Sequence, residues 1–218
     1  MDSIAFAFCD AVVGTVKDLP RLNVPFPDAK WNKALQDHTA NRKCTNLCLG
    51  YYDDKWFYWL LNGEFNSNTP FATFLERVGS KYLRIDCIEV AARWFDIETS
   101  KDEIHVLMNS LQPFLNFPSL YLLDDASKFP EKDLDQLFSL FAKINISAFD
   151  SSCNGRSAIE FAKQLMQQDT LVQTITIYGL RDLLAAAIAN YQATGRVVQV
   201  ETERFPDGVY RTSLRFVH

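Results

Sequence analysis

Three histidines, His38, His105 and His218, are all the imidazoles in this chain of 218 residues. They stand too far apart to form a local acid-base or metal-ligating pair. Cys44 and Cys48 have the three-residue gap of half a zinc site. No second Cys or His pair follows to complete a tetrahedral ligand set, which points away from a metal. The acidic pairs Asp53-Asp54 and Asp124-Asp125 read as turns, because neighbours on an extended chain point to opposite faces and cannot converge on one substrate atom. Ser151-Ser152-Cys153-Asn154-Gly155-Arg156 falls between a strand pattern and a helix pattern, where helix N-terminal amides can hold an anion with Arg156 assisting. With one glycine and no Lys-Ser or Lys-Thr pair it matches no known phosphate loop, and a plain connection turning at Asn154-Gly155 is the simpler reading. Cys153 has no base placed beside it and is not read as a nucleophile. Parts for catalysis are missing, so the sequence predicts no enzymatic activity, no cofactor and no metal.

Composition sets further bounds. Lys and Arg total 22 against 27 Asp and Glu, a formal charge of -5, which disfavours a nucleic-acid partner because phosphates need a concentrated basic surface. Five scattered cysteines, Cys9, Cys44, Cys48, Cys87 and Cys153, suit reduced thiols in a cytoplasmic, or alternatively nuclear, protein. The opening residues carry Asp2 where a secretory leader needs a basic group, and no apolar run reaches the roughly 20 residues of a membrane helix. A soluble protein with no membrane contact is expected.

The elements that must position any site follow from periodicity. Ile4, Phe8, Val12 and Val16 recur on one helical face within residues 3 to 19. After Pro20, Pro25 and Pro27, Asp28 can cap a second helix over Ala29 to Ala40. Aromatic runs on either side of Asp53-Asp54-Lys55 predict a β-hairpin with Trp56, Tyr58 and Leu60 on one face and Phe57, Trp59 and Leu61 on the other. Both faces are apolar, so at least one needs cover.

Beyond the hairpin, strand patterns at 82–90, 119–123, 145–149, 173–178 and 197–202 alternate with helix patterns at 102–115, 131–142, 157–168 and 181–194. A last strand, Val209 to Val217, follows the turn signal Asp207-Gly208 and is expected to fold back on 197–202. An apolar-x-x-apolar-x-apolar frame recurs at Tyr82/Ile85/Cys87, Phe117/Leu120/Leu122, Phe141/Ile144/Ile146, Val172/Ile175/Ile177 and, more weakly, Gly195/Val198/Val200. Polar and apolar residues alternate along Thr174-Ile175-Thr176-Ile177, so one sheet face is buried and one is open. The fold class predicted is α/β: a small N-terminal helical unit over 1–43, then over 44–218 a β-hairpin and an open leucine-rich-repeat-like β/α solenoid with a mostly parallel sheet. Leu120, Leu122, Ile144, Ile146, Ile175, Ile177, Val198 and Val200 are expected inside, with Ser147, Thr174, Thr176 and Gln199 on the open face. A doubly wound sheet stands as the alternative.

The opening Met1 to Val13, with Leu19 and Lys30-Trp31-Asn32-Lys33-Ala34-Leu35, resembles a degenerate F-box, and the whole chain resembles the nematode-expanded group of F-box-like proteins with irregular β/α repeats. That resemblance implies a non-catalytic protein-protein interaction module, a substrate-recognition adaptor whose partners are the adaptor subunit of a cullin-based ubiquitin ligase and a target protein. Its docking face would be Ile4, Phe6, Phe8, Val12, Val13, Val16 and Leu19, with Trp31 bracing the second helix. The same side chains would equally serve to cap the repeats. Two other classes stay open: a nucleotide- or anion-binding α/β enzyme using loops after the strands of a doubly wound sheet, and an RNA binder using the aromatic hairpin from Tyr51 to Tyr58.

Overall fold

A computed structural model of the chain describes residues 6–16, 28–61, 73, 80–124, 128–152, 155–167, 172–178, 182–206 and 210–217. Helices α1 (Phe6–Thr15) and α2 (Ala29–Asn41) come first, α2 beginning where the Asp28 carboxylate accepts the Lys30 amide at 2.6 Å. Strands β1 (Lys43–Tyr52) and β2 (Lys55–Leu61) then pair antiparallel across a two-residue turn. Asp53 and Asp54 take positive φ there, 50° and 59°, a backbone that short polar side chains tolerate and that matches the twist of a hairpin.

The remaining elements alternate: β3 (Leu83–Ala91), β4 (Ile97–Thr99), α3 (Lys101–Leu111), β5 (Leu115–Leu122), α4 (Glu131–Phe141), β6 (Ala148–Ser151), α5 (Arg156–Gln167), β7 (Thr174–Tyr178), α6 (Asp182–Ala193), β8 (Val197–Arg204) and β9 (Tyr210–Val217). The start of α3 is set by a capping box, the Ser100 hydroxyl accepting the Glu103 amide at 3.2 Å and the Glu103 carboxylate accepting the Ser100 amide at 2.7 Å.

One sheet holds these strands in the order β4-β2-β1-β3-β5-β6-β7-β9-β8. Strands β1, β3, β5, β6 and β7 are mutually parallel and follow one another in chain order, whereas β2, β4, β8 and β9 are antiparallel to their neighbours. The α/β class is therefore as expected, with a mixed sheet. Helices α3 to α6 share one face. Leu111, Leu137, Phe161 and Leu184 from them form a single core cluster with Leu49, Ile88, Leu120, Phe149, Ile175 and Leu214 from alternate strand positions. Phe138 stacks on Phe161 with ring centroids 4.6 Å apart and Phe149 meets Phe161 edge-on at 5.1 Å, contacts that add about 0.5–1.5 kcal/mol each beyond area burial.

Three expectations about the strands are corrected. The frame at Phe141/Ile144/Ile146 is not a strand: β6 begins at Ala148, and Phe149 pairs with Leu120 and Ile175. Ile144 and Ile146 are still apolar and still packed on the core, but from the approach to β6. Ile88, Leu120, Phe149 and Ile175 therefore mark equivalent positions 32, 29 and 26 residues apart. Ser147 consequently precedes β6 instead of lying in a strand, and it is buried, with its hydroxyl 3.5 Å from that of Ser119. The last hairpin does close β8 on β9, but β9 inserts between β7 and β8, so Val198 and Val200 belong to an edge strand with no pairing to β7. The short strand β4 carries no pattern long enough to read.

On the opposite face the two ends differ. Over β1 and β2, Cys48 and Phe57 are covered by Phe95 with Trp59 packed alongside, so both faces of the aromatic hairpin are buried. Gly50 makes this possible, since a Cβ there would collide with the Arg93 carbonyl and the Phe95 ring. Helices α1 and α2 dock on the same side at the starts of β1 and β3. Arg84 Nε donates to the Gly14 carbonyl at 2.9 Å and Arg42 Nη2 to the Val13 carbonyl at 3.0 Å, so two guanidinium groups cap the C-terminus of α1. Over β5 to β8 this face has no helix on it among the described residues.

Candidate functional site

Strand register decides which side chains meet on the open part of the face. One row across it runs Gln199, Arg215, Thr174, Ala148, Ser119, and the next runs Glu201, Ser213, Thr176, Asp150, Tyr121. A third row holds Glu203, Arg211 and Tyr178. Adjacent members of a row sit close enough to interact. Between β7, β9 and β8 they line a cleft of about 470 Å³, with Thr174, Thr176, Ser213, Arg211 and Arg215 on its floor. Thr174, Thr176 and Gln199 are thus on this face, as the alternation predicted.

Arg211 of the cleft pairs with Asp150, which stands on β6 one strand beyond the lining, Nη2 to Oδ2 at 4.0 Å, at the long limit of an ion pair. Their side chains are 32% and 37% exposed, so both reach solvent while standing partly out of it. Burial raises the Asp150 carboxyl above its ordinary range, and the Arg211 charge pulls it partway back. The Arg211 Nε is buried without a hydrogen-bond partner. Its guanidinium lies over the Tyr178 ring at 5.7 Å, and Tyr178 stacks on Phe205 at 5.8 Å. Glu201 and Glu203 are exposed on the edge strand, and neither is within ion-pair distance of Arg211 or Arg215.

At the covered end the polar groups are more deeply held. Cys48 and Cys87 thiols stand 3.7 and 3.9 Å from the Glu89 carboxylate, and burial first, then that carboxylate, pushes both up to about 12. They are inert as nucleophiles near neutral pH. No group of three His, Cys, Asp or Glu placed to hold a metal occurs among the described residues. His38 is 2% exposed, its Nε2 3.2 Å from Asp10 Oδ1, its ring edge-on to Tyr82 at 5.1 Å. Burial lowers its pKa; Asp10 opposes the shift, and Arg42 and Arg84 reinforce it.

Of the docking residues expected from the sequence, Ile4 and Leu19 lie outside the described residues. Phe8 and Val12 are exposed, at 55% and 36%, with Phe8 meeting Trp31 edge-on at 6.1 Å. Val13 is corrected: it is 2% exposed, because it faces α2 and forms an internal cluster with Cys9 and Ala34. Phe6, Val16 and Trp31 are partly buried against that same cluster, so they brace the helix pair more than they offer a free face. The 151–156 connection is described except for Cys153 and Asn154. Arg156 opens α5, and Ser152 closes β6 by donating its amide and its hydroxyl to the Leu122 carbonyl at 2.9 and 2.8 Å. Sequence reasoning missed Asp150, Arg211 and Arg215. The available signal was the alternation Arg211-Thr212-Ser213-Leu214-Arg215-Phe216, which puts two arginines and a hydroxyl on one face of β9.

No helix among the described residues is long and apolar enough to cross a membrane. No family model and no curated protein matches the chain. Among solved structures it is similar to one described as "delta-N METTL16 MTase domain", at 12% identity and a TM-score of 0.30, over 97% of this chain and 96% of that one. A likeness that slight assigns neither a fold nor an activity. The expectations of a non-catalytic ubiquitin-ligase adaptor and of a chain that is no enzyme are therefore not upheld: neither the family models nor the curated proteins bring an adaptor beside this chain.

Proposed function

We propose that the protein binds a small anionic ligand on the open face of its sheet, with Arg211 and Arg215 holding the anion and Asp150 exchanging a proton with it, as an α/β enzyme of small anionic substrates would. Arg211 carries this reading: its Nε is buried and unpaired, and its nearest carboxylate stands 4.0 Å away. A buried donor left without an acceptor costs about 1–3 kcal/mol, and the solvent-reaching part of the same side chain is open to an oxyanion. The planar guanidinium fork suits a carboxylate or phosphate, and the Thr174, Thr176 and Ser213 hydroxyls supply further donors beside it. The edge-strand carboxylates Glu201 and Glu203 oppose an anion less, because water screens exposed charges. A partly buried carboxyl with a raised pKa, paired at 4.0 Å with a cation of the cleft, has the properties of a general acid-base group.

Calorimetric titration with sulfate and with ATP is expected to show binding of at least one at millimolar affinity or better. Arg211→Ala should weaken it by about tenfold or more, given the strength of charge-assisted bonds. No heat from either ligand up to about 10 mM overturns the reading.

We also infer that the strand-helix units form an open solenoid of the leucine-rich-repeat type. The chain-order succession of β1, β3, β5, β6 and β7, with α3 to α6 on one face, supports this. An experimental structure with any of those helices across β5 to β8 on the open face would refute it.

A further inference from the structure

We propose that filling the cleft with an anion loads a proton onto Asp150, so that binding and protonation are one coupled event. This rests on the anion reading above and assigns Asp150 its state in the complex: an acid poised to donate rather than a base.

The neighbours of the carboxyl decide the matter. In its own row it faces Tyr121 on β5 and Thr176 on β7, both uncharged at neutral pH, with Ser213 on β9 beyond them. Glu201 on β8 lies three strands away, about 14 Å by the spacing of a sheet. Glu203 and Arg215 on β8 and β9 occupy the rows on either side and make no ion pair with it. Charged groups on α3 to α6 belong to the other face. Among the described residues, Arg211 is therefore the cation that acts on Asp150, at 4.0 Å.

That arrangement makes the arginine a shared counter-ion. With the cleft empty, its charge favours the ionised carboxylate. An anion seated on Arg211 offsets that charge and adds a negative one beside the carboxylate, and neither Tyr121 nor Thr176 supplies a replacement cation. The carboxylate then gains by taking a proton from solvent, which its 32% exposure permits. No bond other than O–H forms, and the proton comes from water or buffer.

Sulfate tests this cleanly, because its charge is constant across the useful pH range and any proton taken up belongs to the protein. Affinity should rise about five- to tenfold between pH 7.5 and pH 5, with calorimetry in two buffers of different ionisation enthalpy reporting net proton uptake. Asp150→Asn should abolish the uptake and flatten the pH profile, and Asp150→Glu should restore both. Wild-type binding without uptake, or uptake that persists in Asp150→Asn, overturns the coupling while the anion site stands. Binding of ATP without binding of sulfate also overturns it as stated, and failure of both ligands overturns the site and the coupling together.

Discussion

One side of the sheet carries two different surfaces. Over β1 and β2 the outward positions are Cys48, Phe57 and Trp59, and the chain lays Phe95 across them. Over β7, β9 and β8 the same side presents Thr174, Thr176, Ser213, Arg211 and Arg215 and, among the described residues, no such cover. The backbone geometry of the two ends is alike, so the side chains decide which end is closed. Apolar positions gain by burial at about 25 cal/mol per Å², whereas hydroxyls and guanidinium groups lose their water unless every donor finds a partner. A sheet face stays open where its outward residues are better solvated than packed, and that is where a ligand has room.

The largest break in this contrast comes from the side that both ends share. Phe149→Ala should cost about 3–5 kcal/mol in urea unfolding, since Phe149 is 1% exposed among Phe138 and Phe161. Thr174→Ala on the open face should change stability by no more than about 0.5 kcal/mol. Equal losses from the two would mean that the open face is packed after all.

Gly50→Ala sharpens the comparison at the closed end. The new methyl meets the Arg93 carbonyl and the Phe95 ring, so the cover must lift or the strand must shift, at about 1–3 kcal/mol. Tryptophan fluorescence should report Trp59 becoming more exposed. A fully stable, spectrally unchanged variant would show that the cover is not held by this close approach.

A smaller effect should appear in acid. His38 is buried and its pKa lies below the ordinary value of about 6.5, chiefly through burial. Because the folded pKa is the lower one, stability is fully present above the unfolded value and is lost as pH falls from there toward the folded value. The thermal midpoint should therefore drop as pH is lowered from about 7 toward 5, and His38→Gln should flatten that slope while lowering stability at neutral pH. A midpoint that is level with pH in the wild type would remove His38 from this role.

Much of the scaffold was legible from the chain. The Asp53-Asp54 turn, the Asp28 cap and the alternation at Thr174 to Ile177 are local signals, and local physics produced the expected elements. The frame failed at Ile144 and Ile146 because apolar residues in a buried approach look the same, by hydropathy, as apolar residues in a strand. Val13 was misjudged because a helix of mostly apolar residues does not say which side its partner takes. The site itself was hidden for a topological reason. Asp150 and Arg211 are far apart in sequence and meet only because β9 enters between β7 and β8, a placement that no pattern within either strand announces.

The insertion of β9 also sets an order of assembly. Strand β8 touches the sheet only through β9, and β7 has β9 as its second neighbour. Residues 197–204 therefore emerge during synthesis with no edge to join, and the rim of the sheet beyond β7 stays unfinished until residues 210–217 arrive to bridge it. Until that moment β7 presents a bare row of amides and carbonyls to any other extended chain. Its safest escort is speed, and the short connection from β8 to β9 provides it, since a hairpin closes in about 1–10 μs while synthesis adds only about 5–20 residues each second.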